Sequence, residues 1–272
     1  EVPASYELAI KKAKEVDADV VVITDPDGDR LGVVAKHNGE YVLMSGNQSA
    51  AVYLEYILSQ MKEKGTLPDN AVMYNTIVTS DLGELVARNY GVDVEKTLTG
   101  FKFIGDKIRK YEKTHEKQFI FGYEESYGCV VEDFVRDKDA VQAVLLAAEC
   151  GNYYKKQGKD LIDVLNELYA KYGTFKESQI ALAKAGAAGA ARIKEMMDTL
   201  RQDKPTEIGG VKVVLSEDYA TSERSDGTTI DLPKSNVLKY YLEDGSWIAA
   251  RPSGTEPKCK FYFSIKGKDA KD

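Results

Sequence analysis

The stretch that decides how this chain is read is Val20–Gly32, VVVITDPDGDRLG. Four β-branched residues, Val20 to Ile23, run into three carboxylates two residues apart, Asp25, Asp27 and Asp29, with Arg30 directly after. An uninterrupted run of this kind predicts a buried strand whose carboxyl end has become a cation site. Three carboxylates so close repel one another unless a positive charge sits among them, and their oxygens are the ligands that Mg²⁺ accepts. Pro26 and Gly28 supply the turn, because proline fixes φ and glycine tolerates positive φ. A calcium-binding EF-hand loop is excluded, since its sharp-turn glycine would fall on Arg30 and its bidentate glutamate on Lys36. A phosphatase with Asp25 as nucleophile and Asp27 as acid/base stays open, although it has no need of Asp29.

Composition sets the outer bounds. A chain of 272 residues with 43% apolar side chains is long enough for two or so folded domains. A formal net charge of -7 argues against a nucleic-acid partner, which wants a basic face. No apolar run approaches the roughly 18 residues of a membrane span, and the start does not resemble a signal peptide. Cys129, Cys150 and Cys259 are odd in number and widely spaced. They read as small buried hydrophobes in a protein of the reducing cytoplasm.

Around the aspartate loop, Ser5–Lys14 predicts a short helix, and Leu31–Ala35 with Tyr41–Met44 predict a hairpin turning at Asn38-Gly39. The chain begins at Glu1, and residues 1–44 are expected to be the tail of a domain that starts upstream. From Asn47 the pattern alternates helix and strand, the mark of an α/β layer with a largely parallel sheet. Helices are expected over Gln48–Lys64, Asp81–Tyr90, Phe101–Tyr111, Asp139–Gln157 and Leu161–Tyr172, and strands over Ala71–Val78, Val92–Thr97 and Gln118–Phe121. Asp81 and Glu84 have the spacing of a capping box, with Gly91 as the stop. Alanine-rich Lys184–Leu200 reads as a linker passing into a helix. Strands at Val211–Leu215, Val237–Leu242, Trp247–Ala250 and Cys259–Ile265 then form a final α+β unit. The expected division is 1–44, 45–175 and 176–272.

In α/β sheets ligands bind beyond the carboxyl ends of the strands, so the loops there carry the chemistry. Thr97–Lys102, TLTGFK, offers Thr99, Gly100 and Lys102 at a helix N-terminus, where free backbone N–H groups suit an anion or a sugar hydroxyl. N-capping by Thr99 explains the same residues equally well. Phe121–Gly128, FGYEESYG, places Glu124, Glu125 and Ser126 between glycines, a polar cup suited to sugar hydroxyls. Lys138 stands just before the long helix, where a partly desolvated lysine can exchange protons. Arg251–Lys258, RPSGTEPK, combines an arginine fork with the donors of Ser253, Gly254 and Thr255, the makings of an oxyanion cradle.

DPDGDR, TGFK, GYEESYG with the downstream RDKD, and RPSGTEPK occur in the order and approximate spacing of the α-D-phosphohexomutase family, which the chain resembles. The resemblance implies a mixed-sheet α/β domain followed by a C-terminal α+β phosphate-binding domain. It also implies an enzyme that interconverts 1- and 6-phosphorylated hexoses, glucose first and mannose second, through a hexose bisphosphate. By the same likeness Asp25, Asp27 and Asp29 would hold Mg²⁺ and Arg30 would contact the transferring phosphoryl group. Glu124 and Ser126 would grip ring hydroxyls, with Thr99, Gly100 and Lys102 helping in substrate contact. Lys138 would move the proton, and Arg251, Ser253, Gly254, Thr255 and Lys260 would hold the phosphate that is not reacting. The family's nucleophilic serine lies in a Thr-Ala-Ser-His-Asn-Pro type loop, and neither His37 nor His115 sits in such a setting. The expectation is therefore a portion of a mutase, inactive alone and completed by N-terminal domains of the same protein. A hexose-phosphate phosphatase and a non-catalytic sugar-phosphate binder are the alternatives.

Overall fold

The computed structural model describes residues 3–183, 186–254 and 256–267. The chain divides into two units, Glu1–Tyr172 and Gly173–Asp272.

The first unit opens with a single 3-10 turn at Pro3–Tyr6 and helix α1 (Glu7–Val16), followed by a three-stranded antiparallel sheet of β1 (Val20–Thr24), β2 (Leu31–His37) and β3 (Glu40–Met44). The aspartate motif is the hairpin loop between β1 and β2, which pair from Val20↔Ala35 to Thr24↔Leu31. The expectation of a buried strand before that loop is corrected here. β1 is an edge strand with one neighbour and is only half-buried, whereas β2, paired on both sides, is buried from Leu31 to Ala35. The second hairpin turns as expected: Asn38 and Gly39 both have positive φ, 51° and 84°, the requirement of a two-residue type I′ loop.

Helix α2 (Gly46–Glu63) starts at a reciprocal capping box in which Ser45 accepts from the Gln48 N–H and Gln48 from the Ser45 N–H. Beyond it lie β4 (Ala71–Thr76), α3 (Leu82–Asn89), β5 (Asp93–Thr97), α4 (Phe101–Thr114), β6 (Gln118–Tyr123), β7 (Cys129–Val130), α5 (Ala140–Lys155) and α6 (Leu161–Tyr172). The four-stranded sheet runs β5-β4-β6-β7, parallel except for the β6–β7 pair. Because β4, β5 and β6 are parallel, their last residues, Thr76, Thr97 and Tyr123, come to the same end of the sheet. The capping box expected at Asp81 and Glu84 does not form, since Asp81 makes no side-chain cap. Both carboxylates are drawn instead to the buried ammonium of Lys96. Burial opposes that charge, and the two carboxylates outweigh it.

The second unit begins with β8 (Thr174–Ala183), which sequence periodicity does not show. It is an edge strand, exposed over most of its length, that pairs with β14 along all ten residues from Thr174↔Gly267 to Ala183↔Lys258. Helix α7 (Gly186–Gln202) takes up most of the stretch expected as a linker passing into a helix, while Lys184 lies outside the described residues. The remaining strands are β9 (Glu207–Ile208), β10 (Val211–Asp218), β11 (Glu223–Arg224), β12 (Leu238–Leu242), β13 (Trp247–Pro252) and β14 (Lys258–Gly267). They form an antiparallel sheet in the order β11-β10-β12-β13-β14-β8, with β9 on β10. Ile193 and Met197 of α7 pack onto Leu238, Tyr240, Ala250 and Cys259 of that sheet. Cys129, Cys150 and Cys259 are all buried free thiols, and burial pushes Cys129 up to about 12. No helix among the described residues is long and apolar enough to cross a membrane.

Glu95 of β5 ties its strand to α4 and to the start of β6. Its carboxylate takes Lys107 at 2.5 Å, the Tyr111 hydroxyl at 2.7 Å and Lys117 at 3.1 Å. Burial works against its charge, but these three partners prevail and hold the carboxyl below its ordinary 4.5. A depressed folded-state pKa stabilises above the unfolded value and stops doing so as pH falls through the folded one. Glu95→Gln is thus expected to lower stability by about 1–2 kcal/mol at neutral pH. The difference from the parent should close in acid below 4.5, as read by urea unfolding at both conditions.

Candidate active site

In the first unit the aspartate loop is a built turn. The Asp25 carboxylate accepts the backbone N–H groups of Asp29 and Arg30 on one oxygen, both at 3.1 Å. Its carbonyl accepts from Gly28, whose φ of 67° needs no side chain in the way. Burial raises the cost of charge on Asp25, and the two N–H groups outweigh it, so its carboxyl titrates below the ordinary range. Asp27 is exposed.

Asp29 faces a different environment. Lys138 Nζ stands 2.7 Å from its Oδ2, and Arg30 Nε 3.8 Å from its Oδ1. That Oδ1 atom is buried with no hydrogen-bond partner. Backbone contacts fix the approach: Arg30 and Gly128 form an antiparallel bridge, the Leu31 N–H reaches the Tyr127 carbonyl at 3.0 Å, and Ala140 N–H reaches the Gly28 carbonyl at 3.0 Å. Gly128 leaves room for the lysine, since a Cβ there would stand 2.2 Å from Lys138 Cδ.

The cup after β6 is fastened to the ends of β4 and β5. Buried Glu124 accepts the Gly100 N–H at 2.8 Å, and Glu125 accepts the Thr76 hydroxyl at 3.1 Å. Gly46 lets α2 come close beneath this loop, as a Cβ there would meet the Glu125 carbonyl at 2.3 Å. Ser126 and Thr99 are half-buried. Helix α4 is capped by Gly100, with φ 113° and no side-chain cap, so Thr99 does not N-cap it. Lys102 is exposed, and with Arg109, Arg136 and Lys138 it lines a depression of about 670 Å³. Thr76 and Gly46 were not singled out from the sequence, since a strand-end threonine and a glycine inside a helix carry no signal of what they touch.

One set of three potential metal-ligand atoms among the described residues lies within 4.8 Å of one another, and it is His37, Asp160 and Asp163, not the loop aspartates. The two carboxylates already serve the start of α6. Asp160 accepts the N–H groups of Ile162 and Asp163 at 2.8 and 2.9 Å, Asp163 accepts that of Asp160 at 2.9 Å, and His37 Nδ1 lies 2.9 Å from Asp160 Oδ2. A helix N-terminus favours carboxylates and disfavours a cation, so we read this cluster as a cap.

In the second unit Arg251, one residue before the end of β13, lies opposite Lys260 of β14, with its guanidinium 3.5 Å from the Tyr262 hydroxyl. The loop beyond closes through Ser253 N–H to the Lys258 carbonyl at 2.8 Å and Glu256 N–H to Ser253 Oγ at 3.2 Å. Lys258 pairs with Glu256, which holds that carboxyl below its ordinary value. Ser253 and Gly254 also line a cleft of about 840 Å³ against α7. Thr255 lies outside the described residues.

Residues 45–172 match the family profile described as phosphoglucomutase/phosphomannomutase, alpha/beta/alpha domain III, and residues 191–271 match that of the C-terminal domain IV. The chain belongs to the phosphoglucomutase/phosphomannomutase family. The phosphoglucomutase of Staphylococcus haemolyticus is 39% identical over 267 residues, 96% of this chain and 47% of that protein. That of Staphylococcus aureus is 38% identical over 274 residues, 98% of this chain and 48% of that protein. The chain therefore spans about half the length of the curated relatives it matches. Among solved structures, parafusin, a phosphoglucomutase of Paramecium in its open form, superposes with a TM-score of 0.70 at 19% identity, over 99% of this chain and 46% of that one. A phosphoglucomutase/phosphomannomutase family protein of Burkholderia thailandensis gives 0.63 at 19% identity, over 98% and 47%. Both share the fold.

The loop geometry separates its aspartates. Asp25→Ala, which strands two backbone N–H groups, should cost about 1–2 kcal/mol in urea unfolding. Exposed Asp27→Ala should stay within about 0.5 kcal/mol of the parent.

Proposed function

We propose that this chain supplies the cation-binding, sugar-binding and phosphate-binding parts of a phosphohexose mutase that interconverts glucose 1-phosphate and glucose 6-phosphate. The observation that carries the reading is the meeting of two loops from distant parts of the sequence, with Lys138 on Asp29 and Arg30 bridged to Gly128 beside the Glu124 cup. Phosphoryl transfer is largely positioning and charge neutralisation, so the parts it needs are a cation, an arginine and a clamp on the far end of the substrate.

The aspartate loop fits a hard cation. Its donors are all carboxylates, Asp25 is held ionised by backbone N–H groups, and Asp29 keeps a buried oxygen with no hydrogen-bond partner. Mg²⁺ held by Asp25, Asp27 and Asp29 would neutralise charge on the transferring group. Arg30 contacts that phosphoryl group in this reading, and Lys138 Nζ holds or gives up the proton of the reacting hydroxyl. Glu124, anchored through one oxygen to Gly100, uses the other on a ring hydroxyl, next to Ser126 and the Thr99–Lys102 loop. Arg251, Ser253, Gly254, Thr255 and Lys260 hold the second phosphate. A substrate that reacts first at one end and then at the other needs a cup indifferent to which way round it lies, and equatorial hydroxyls read by Glu124 and Ser126 allow that. The phosphate carrier is assigned to a serine outside this sequence.

The test is conversion of glucose 1-phosphate with Mg²⁺ and glucose 1,6-bisphosphate, by the chain alone and with the N-terminal half of a full-length relative added in trans. Activity only on addition is the expected result, and steady conversion by the chain alone sinks the assignment of the carrier. Release of inorganic phosphate, abolished by Asp25→Asn, would establish the phosphatase reading instead. Arg251→Ala should weaken glucose 6-phosphate binding by about tenfold or more, the worth of a charged hydrogen bond, in calorimetry of the chain itself.

A further inference from the structure

We propose that the aromatic ring of Tyr127 is the apolar wall of the sugar cup, packing on the C–H face of the hexose whose hydroxyls Glu124 and Ser126 take. The inference rests on the reading of Glu124 and Ser126 as that cup. Tyr127 is the last residue of a tight hairpin loop. β6 and β7 pair at Gly122↔Val130 and Tyr123↔Cys129, the Glu124 N–H reaches the Gly128 carbonyl at 2.9 Å, and Glu125, Ser126 and Tyr127 form the tip. Three-residue hairpin loops ordinarily hold their last residue in the left-handed region and fill it with glycine. Here φ is 68° and the residue is a tyrosine. Among the described residues the other non-glycine positions with positive φ are Asp17, Asn38, His115 and Ser222, all polar side chains smaller than tyrosine. Asn, Asp and His enter this region several-fold more readily than most residues, and a bulky side chain there is an outlier. The aspartate loop on the other side of the Arg30–Gly128 bridge uses glycine at nearly the same angle, Gly28 at 67°.

The strained backbone is imposed from both sides. The Tyr127 carbonyl accepts the Leu31 N–H at 3.0 Å, and its nitrogen lies so near α2 that a Cβ on Gly46 would stand 2.7 Å away. Glycine would meet both demands at less cost, so what tyrosine adds is its side chain. The loop is already fastened by Glu124 on the Gly100 N–H and by Glu125 on the Thr76 hydroxyl, and Tyr127 is half-buried beside half-buried Glu125 and Ser126. A polar group could have come from asparagine at lower strain, which leaves the ring as the feature retained. Pyranose rings carry apolar C–H faces between their hydroxyls, and ligand sites pair aromatic walls with a few fixed polar groups.

The experiment is calorimetry of the chain with glucose 6-phosphate, with proton spectra of the sugar in the same titration and a melting curve for each variant. In the parent the ring should move the sugar C–H resonances upfield. Tyr127→Gly should melt no lower than the parent, bind about fivefold or more weakly, and lose the upfield shift. Tyr127→Phe should keep both the affinity and the shift. A Tyr127→Gly variant that binds like the parent while Glu124→Gln binds weakly overturns this inference alone. A lower melting temperature for Tyr127→Gly assigns the ring to packing of the fold and overturns it as well, and Tyr127→Phe as weak as Tyr127→Gly assigns the effect to the hydroxyl. No binding by the parent, or parent-like binding by Glu124→Gln, overturns the sugar-cup reading beneath it.

Discussion

The bridge between Arg30 and Gly128 is the constraint on which the rest of the first unit's site depends. It joins a hairpin loop of an antiparallel sheet to the loop that leaves a parallel one, through backbone groups alone. Two glycines make the approach possible. Gly128 has no side chain where the Lys138 stem passes, and Gly46 none where the same loop rests on the start of α2. The functional side chains then inherit their positions from packed backbone, which is stiffer than any side-chain contact.

Charge is handled in two ways within this unit. The Lys96 ammonium is buried between Asp81 and Glu84, and Glu95 is held by Lys107, Tyr111 and Lys117; each carboxylate there has a partner from neighbouring structure. The aspartate loop is different. Asp25 is satisfied by its own turn, Asp27 faces solvent, and Asp29 shares one oxygen with Lys138 while the other has no hydrogen bond. A structural cluster gives its carboxylates partners in the fold, as the His37, Asp160 and Asp163 cap does. A loop that leaves some unused has kept capacity for something else.

The second unit builds its phosphate loop with another geometry. Arg251 and Lys260 are opposite one another on paired strands, so two cationic side chains stand at one place on the sheet before the loop begins. Beyond them Ser253 and Glu256 close the turn on themselves. The long edge strand β8 completes the sheet against β14, and it does so with Ile180 and Leu182 half exposed.

Much of this was legible in the residues. Asn38-Gly39 turned where its dipeptide chemistry requires, α/β alternation marked the parallel sheet, and DPDGDR, TGFK, GYEESYG and RPSGTEPK carried the family, because turn geometry and oxygen-donor chemistry are local properties of short stretches. Where partners compete, local pattern failed. Asp81 and Glu84 have the spacing of a capping box and serve Lys96 instead, while Ser45 and Gln48 form a capping box that the sequence reading, which begins the helix at Gln48, does not name. The strand Val20–Thr24 reads as buried from its composition yet lies at an edge, and Thr174–Ala183 reads as nothing in particular yet pairs along its whole length. The sequence by itself determined which residue types are present for metal, sugar and phosphate chemistry. Only the tertiary structure decided that Lys138 meets Asp29 and that Glu124 meets Gly100, because hydrogen bonds between residues far apart in the chain depend on which strands pair, and no local spacing encodes that choice.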